Sequence, residues 1–197
     1  MLILLLENRG TLYVMPDDIQ RPFLDTSASL KDVGIREGMH VADFGCGTGF
    51  YTIQLGQRVG PHGEVIAIDV QHEPLESVRA RAQAAGLENI RTVRADLEVS
   101  KSTGIPDVVL DAVTVANVLF QSQKKGQILQ EAHRVLKTDG RLVVVEWAKG
   151  AGGMGPPDDM RTSVDDMRAI VQKEGFIFER NADAGAFHYI LVFKKNS

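Results

Sequence analysis

Val41-Ala42-Asp43-Phe44-Gly45-Cys46-Gly47-Thr48-Gly49-Phe50-Tyr51-Thr52 begins as an apolar run with one acid, passes three glycines at alternate positions, and enters a segment with helical spacing. Tyr51, Leu55 and Val59 share one side of that last segment. The stretch reads as strand, tight turn and helix, the opening unit of an open α/β sheet. The glycines serve a turn whose backbone angles a Cβ would oppose, and they let a ligand lie against the main chain. The turn falls at the carboxyl end of a strand, where open α/β sheets bind their ligands.

The spacing of the glycines bears on which ligand. A dinucleotide fingerprint, G-x-G-x-x-G, wants its third glycine where this chain has Phe50. Asp43 stands two residues before Gly45. A carboxylate there opposes a pyrophosphate and suits a positive charge. Val65-Ile66-Ala67-Ile68-Asp69 is a buried-strand pattern that ends in an acid 24 residues after Gly45, a place from which a carboxylate accepts the hydroxyls of a ribose. An adenosine with a cationic, non-phosphate tail meets both conditions, and S-adenosylmethionine is such a molecule.

With these residues in hand, the chain resembles the class I S-adenosylmethionine-dependent methyltransferases. Asp43 to Gly49 looks like their first motif and Val65 to Gln71 like their second. Arg94-Ala95-Asp96-Leu97 looks like the segment that borders adenine. Asp111 to Asn117 and Arg134 to Leu142 look like the fourth and fifth landmarks. The resemblance runs from about Phe23 to the C-terminus. It is similar to small bacterial members of the ubiquinone/menaquinone C-methyltransferase type. One departure is Thr138-Asp139-Gly140 in place of Pro-Gly-Gly before the fifth strand, where Gly140 is expected to keep the turn.

The resemblance implies a Rossmann-like, doubly wound sheet of about seven strands, mostly parallel, with an antiparallel C-terminal hairpin strand. Cofactor contacts are then expected from Asp43, Gly45, Cys46, Gly47, Gly49, Phe50 and Tyr51, from Asp69, Val70 and Gln71, from Ala95, Asp96 and Leu97, and from Asn117. Asp43 is expected to hold the methionine end. For Asp96, a hydrogen bond to the adenine amino group competes with a helix N-cap. Cys46 is expected to have a packed, inert thiol. Glu146, His188 and Tyr189 are the candidates for a general base, and nothing in the sequence chooses among them. Asn117-Val118-Leu119-Phe120 lacks the prolines with which base-methylating relatives hold a flipped base, which argues against that chemistry. Besides a methyltransferase acting on a small or amphipathic acceptor, a protein or RNA methyltransferase and a non-catalytic module binding the cofactor or its product remain open.

The 197 residues suit one domain with a short arm, divided here as 1–24 and 25–197. A net charge of −4 disfavours nucleic acid as a partner. The single cysteine excludes an internal disulfide and a multi-cysteine metal site, and no histidine pair has ligand spacing, so no metal is expected. The apolar run Leu2 to Leu6 is too short for a membrane span and lacks the flanks of a signal peptide. A cytoplasmic enzyme is therefore expected.

Between the landmarks the reading is structural. Met15 to Leu24 is a connector, and Asp25-Thr26-Ser27 caps a helix start. Glu73 to Gly86 is amphipathic, with Leu75, Val78, Ala82 and Ala85 inward. Ile128 to Leu136 is helical, and Arg141 to Val145 is a buried strand. Trp147 is either a core-edge residue or a pocket wall. Lys149 to Asp159, rich in glycine and proline, reads as a mobile loop near the active end, with Arg161 just beyond it either solvated or facing an anionic acceptor. Ser163 caps a helix through Glu174, and Phe176 to Arg180 and Phe187 to Phe193 alternate as a hairpin.

Overall fold

Period-two alternation in seven short runs sends apolar side chains to both faces of one sheet, so each face needs a cover of helices. The computed structural model describes residues 33–152 and 155–196. The expected domain boundary at residue 24, the cap at residues 25–27, Phe23 and the run at residues 2–6 lie outside the described residues. In chain order the elements are β1 (His40–Phe44), α1 (Phe50–Val59), β2 (Glu64–Asp69), α2 (His72–Ala84), β3 (Ile90–Arg94), β4 (Leu110–Ala116), α3 (Lys125–Val135), β5 (Leu136–Trp147), α4 (Val164–Lys173), β6 (Phe176–Ala182) and β7 (His188–Lys195). Single 3-10 turns lie at Leu119–Gln121 and Asp158–Met160.

The sheet order is β3-β2-β1-β4-β5-β7-β6. β1 pairs in parallel with both β2 and β4, while β7 runs antiparallel between β5 and β6. This is the doubly wound sheet with an antiparallel C-terminal pair that the motif order implies. The direction of winding reverses between β1 and β4, and a crevice opens there at the carboxyl ends of the strands.

The two faces separate cleanly by parity. Ala42, Phe44, Val113, Val115, Leu142, Val144, Leu191 and Phe193 pack with Leu129 and Val135 of α3 and with Met167 and Val171 of α4. Val41, Val65, Val143, Val145, Ile190 and Val192 pack with Tyr51, Leu55 and Val59 of α1 on the other face. Leu75 and Val78 of α2 cover Ala67 beside Cys46.

Three expectations about individual elements need adjustment. Ala85 lies beyond the end of α2 and is exposed, because the helix closes at Ala84 and Gly86 takes the left-handed angle, φ 65°, that stops it. Val33 and Ile35, in the turn that leads to β1, are buried against α1 and the sheet. β5 begins at Leu136, well before Arg141, because its first residue already pairs with Leu110. In the turn inside it the left-handed residue is Asp139, φ 66°, whereas Gly140 is needed for close packing: a Cβ there would sit 2.9 Å from the Lys137 carbonyl.

No helix among the described residues is long and apolar enough to cross a membrane. Among the same residues no group of three or more His, Cys, Asp or Glu side chains is arranged to hold a metal ion.

Candidate functional site

The glycine turn is shaped by its neighbours as much as by its own sequence. The amides of Gly45 and Cys46 both donate to the Ile68 carbonyl at 2.8 Å, which ties the turn to the end of β2. Gly45 has φ 72°, and a Cβ on it would collide with Val118 from the end of β4. Gly47, at φ 50°, would meet nothing within 4 Å, so the main chain there is open to the crevice. Gly49, at φ 86°, caps α1 and packs against Val78.

These elements enclose a cavity of about 620 Å³, large enough for a cofactor-sized molecule. Its walls include Asp43, Gly45, Cys46, Gly47, Phe50 and Tyr51 from the β1 turn and α1, and Asp69, Val70 and Gln71 from the end of β2. Ala95, Asp96, Leu97 and Glu98 follow β3, and Asn117, Val118, Gln121 and Ser122 follow β4. Ile128, Trp147 and His188 complete it. Four of these side chains are carboxylates, and none is a lysine or arginine.

Asp43 lies under the turn and is buried. Thr52 Oγ1 donates to its Oδ2 at 2.6 Å, and Thr114 Oγ1 donates to its Oδ1 at 3.1 Å. Burial raises its pKa to about 6 against the opposing pull of those two hydroxyls, and the Asp69 charge adds to the rise. Asp69 is half-buried; Gly47 N donates to its Oδ2 and Gln71 N to its Oδ1, both at 3.0 Å. The carboxylate is thereby fixed in orientation while each oxygen keeps a lone pair for a further donor. Asp96 is exposed and its Oδ1 accepts from Glu98 N at 2.9 Å, a local turn cap that leaves its other oxygen at the cavity. Cys46 is buried, and burial drives its thiol pKa well up, so it stays protonated.

The acceptor-side candidates separate by strand alternation. Trp147 and His188 share parity with Val145 and Ile190 and line the cavity. Their rings lie 4.1 Å apart, and Asn117 Nδ2 is 3.3 Å from His188 Nε2. Burial lowers the His188 pKa to about 4, so its ring is neutral near pH 7. Asn117 sits at φ 55°, a left-handed angle that asparagine tolerates better than most residues.

Glu146 and Tyr189, one residue away, point to the opposite face and do not line the cavity. Glu146 Oε1 accepts from Leu119 N at 2.7 Å and Phe120 N at 3.2 Å, and the Tyr189 hydroxyl donates to the Thr162 carbonyl at 3.1 Å. The expectation that either faces the acceptor as a base is corrected by that parity. Gly49, at the start of α1, packs against Val78 and is not among the cavity's described walls.

Arg161 does not lie in solvent. It is buried and donates to the carbonyls of Pro156 at 2.9 Å, Ala148 at 2.8 Å and Gly152 at 3.2 Å. Its guanidinium lies 5.8 Å from the Trp147 ring centre, and Gly155 packs on the same ring. Gly152, Gly155 and Pro156 of the loop after β5 are thus tied to Arg161 and Trp147.

Sequence reasoning missed Thr52 and Thr114 as partners of Asp43, and Gln121, Ser122 and Glu98 as walls. The strand-end positions of the last three carried the signal. The two threonines occupy inward sites that read as ordinary packing.

A family model described as a methyltransferase domain matches residues 35–190. The ubiquinone/menaquinone biosynthesis C-methyltransferase of Idiomarina loihiensis is 36% identical over 117 residues, which are 59% of this chain and 45% of that protein. The demethylmenaquinone methyltransferase of Staphylococcus aureus is 36% identical over 117 residues, 59% of this chain and 46% of its own. The chain spans about half the length of these curated relatives. Among solved structures, a SAM dependent methyltransferase from Aquifex aeolicus superposes with a TM-score of 0.81 at 28% identity, covering 87% of this chain and 90% of that one.

Proposed function

The chain belongs to the methyltransferase-domain family, and from that premise we propose that it moves a methyl group from S-adenosylmethionine to a small or amphipathic acceptor by in-line displacement. One observation carries the reading. The crevice at the switch point holds a buried carboxylate under an open glycine turn, has three further carboxylates in its walls, and among the described residues has no lysine or arginine there. A pyrophosphate finds no cationic partner there, whereas a sulfonium and an ammonium gain from every wall charge.

When bound, S-adenosylmethionine supplies a methyl carbon made electrophilic by its sulfonium. The chain supplies position. Asp69 offers the remaining lone pairs of two oriented oxygens to the ribose hydroxyls. Asp96 and Leu97, with Val70 and Gln71, border the adenine. The Gly45 to Gly47 backbone lies along the methionine portion. Asp43 acts from beneath the turn through its charge, since its side chain is buried under the main chain. The half-exposed Phe50 ring opens the cavity with Val70, an apolar lip suited to an amphipathic acceptor. Holding both partners at attack distance provides most of the acceleration.

His188, neutral and inside the cavity, is the candidate base for an acceptor that must lose a proton; its low pKa makes it a weak one. The quinone-directed names of the relatives support a small-molecule acceptor. The net charge of −4 and the acidic cavity speak against nucleic acid. We place the activity in the cytoplasm.

Calorimetric titration with S-adenosylmethionine, S-adenosylhomocysteine and NAD tests the cofactor. The first two should bind and NAD should not. Binding of NAD alone would return the chain to oxidoreductase chemistry.

A further inference from the structure

We infer that Glu146 is a positioning residue: it fixes the turn at Asn117–Gln121 and, through Val118, seats that turn on the glycine turn of the cavity. The inference rests on the reading of the cavity as an S-adenosylmethionine site.

Glu146 is buried on the face of the sheet away from Asp43. Its Oε1 receives two successive backbone N–H groups, from Leu119 at 2.7 Å and Phe120 at 3.2 Å. These amides open the single 3-10 turn Leu119–Gln121, where backbone donors lack a partner within the turn. A carboxylate is the strongest side-chain acceptor for such a pair. Immediately before them the chain reverses at Asn117, φ 55°, whose own amide donates to the Val145 carbonyl at 2.8 Å. Both arms of the reversal are therefore tied to β5, one through backbone and one through Glu146.

Val118 lies between the two ties and packs over Gly45 so closely that a Cβ on Gly45 would collide with it. The height of Val118 over the cofactor turn thus follows from one carboxylate on the other face of the sheet. Asn117, Gln121 and Ser122, on the same segment, are cavity walls.

The choice of residue is costly for the fold. Glu146 Oε2 is buried with no hydrogen-bond partner among the described residues. Tyr189, paired opposite, spends its hydroxyl on Thr162, and Lys125 acts on the carboxylate only through its charge. Burial raises the Glu146 pKa to about 7, against the pull of the turn amides. Leu142 and Val144 occupy the same face of β5, so an apolar residue would satisfy the packing alone. What an apolar residue cannot do is hold the two amides.

The test compares Glu146→Met, which keeps length without an acceptor, with Glu146→Gln, which keeps the acceptor. Amide hydrogen exchange at Leu119 and Phe120 is measured beside calorimetry with S-adenosylmethionine. In the Met variant both amides should exchange at least about tenfold faster and the Kd should rise about tenfold, and the Gln variant should recover both. Unchanged exchange in the Met variant, or a Gln variant no better than Met, overturns the inference. So does faster exchange without loss of affinity, which would reduce Glu146 to a staple of the fold. In the wild-type chain itself both amides should exchange slowly, and fast exchange there overturns the inference even where the Met variant fails to fold. Wild-type protein that does not bind S-adenosylmethionine would sink the cofactor reading, and the exchange data would still decide whether Glu146 holds the turn.

Discussion

Asp43 sets two properties against each other, and one substitution exposes both. Burial raises its carboxyl from the ordinary 3.8 to about 6 in the free protein. A cationic ligand binds the ionised form better, so affinity for S-adenosylmethionine should hold near pH 7 and fall as pH drops through 6. With a pKa of about 6, binding should be about tenfold weaker at pH 5 than at pH 7. Asp43→Asn keeps the shape, and Thr52 and Thr114 can turn their hydroxyls to suit an amide. At an effective dielectric of about 20, charges about 5–7 Å apart interact by about 2–3 kcal/mol, so the Asn variant should bind on the order of 30- to 160-fold more weakly at pH 7. Its binding should also lose the pH step. Stability should move the other way. The folded pKa lies above the unfolded one, so Asp43's contribution is greatest below pH 3.8 and is lost as pH rises through about 6. The ionised buried acid therefore costs on the order of 3 kcal/mol at pH 7, and Asp43→Asn should raise the melting temperature of the free protein there. Calorimetry from pH 5 to 7.5 and thermal unfolding at pH 7 check the two arms. An affinity flat across that range, or an Asn variant that binds as tightly as wild type, would refute the electrostatic argument.

Asp69→Ala should weaken S-adenosylmethionine binding by about 1–3 kcal/mol, because it removes a charged acceptor fixed by the Gly47 and Gln71 amides; unchanged affinity in calorimetry would remove Asp69 from the site. Gly45→Ala combines a left-handed backbone angle, φ 72°, with a collision against Val118, and should cost about 2–4 kcal/mol in urea unfolding. A loss under about 1 kcal/mol would mean that Val118 yields easily. Val108 is an exposed β-branched residue held at φ 60°, so Val108→Gly should stabilise the chain by about 1 kcal/mol in the same assay; a loss of stability would show that the angle carries little strain.

The fold was legible because its signals are local and repeated: an apolar run, a glycine turn and a helical stripe, then acids such as Asp69 and Asp96 at later strand ends. The carboxyl ends of β1, β2 and β3 therefore came out of the sequence together. The other side of the crevice was harder to read. Glu146-Trp147 and His188-Tyr189 are adjacent pairs, and strand parity sends one member of each to the cavity and the other behind the sheet. Trp147 follows Val143 and Val145 at even spacing, but all four residues sit near the strand ends, where either face could reach the site. Arg161 was illegible for a different reason. Its partners are backbone carbonyls of Ala148, Gly152 and Pro156, and a carbonyl leaves no mark in a sequence. Asp139 shows the limit of motif matching as well: the motif locates the turn, but the residue that bears the left-handed angle is the aspartate, and Gly140 is kept for space.

The charge of the cavity gives these residues a common explanation. An active site that binds its ligand through unmet charge must hold that charge in a form the free protein tolerates. Asp43 is tolerated by two hydroxyls and a raised pKa, and Asp69 by two backbone amides. Each arrangement orients the carboxylate without neutralising it, because hydroxyls and amides carry no net charge. A lysine paired with either carboxylate would neutralise it and abolish the reason for a cation to enter the crevice. Carboxylates without a lysine or arginine among the described cavity walls thus favour a sulfonium and oppose a phosphate.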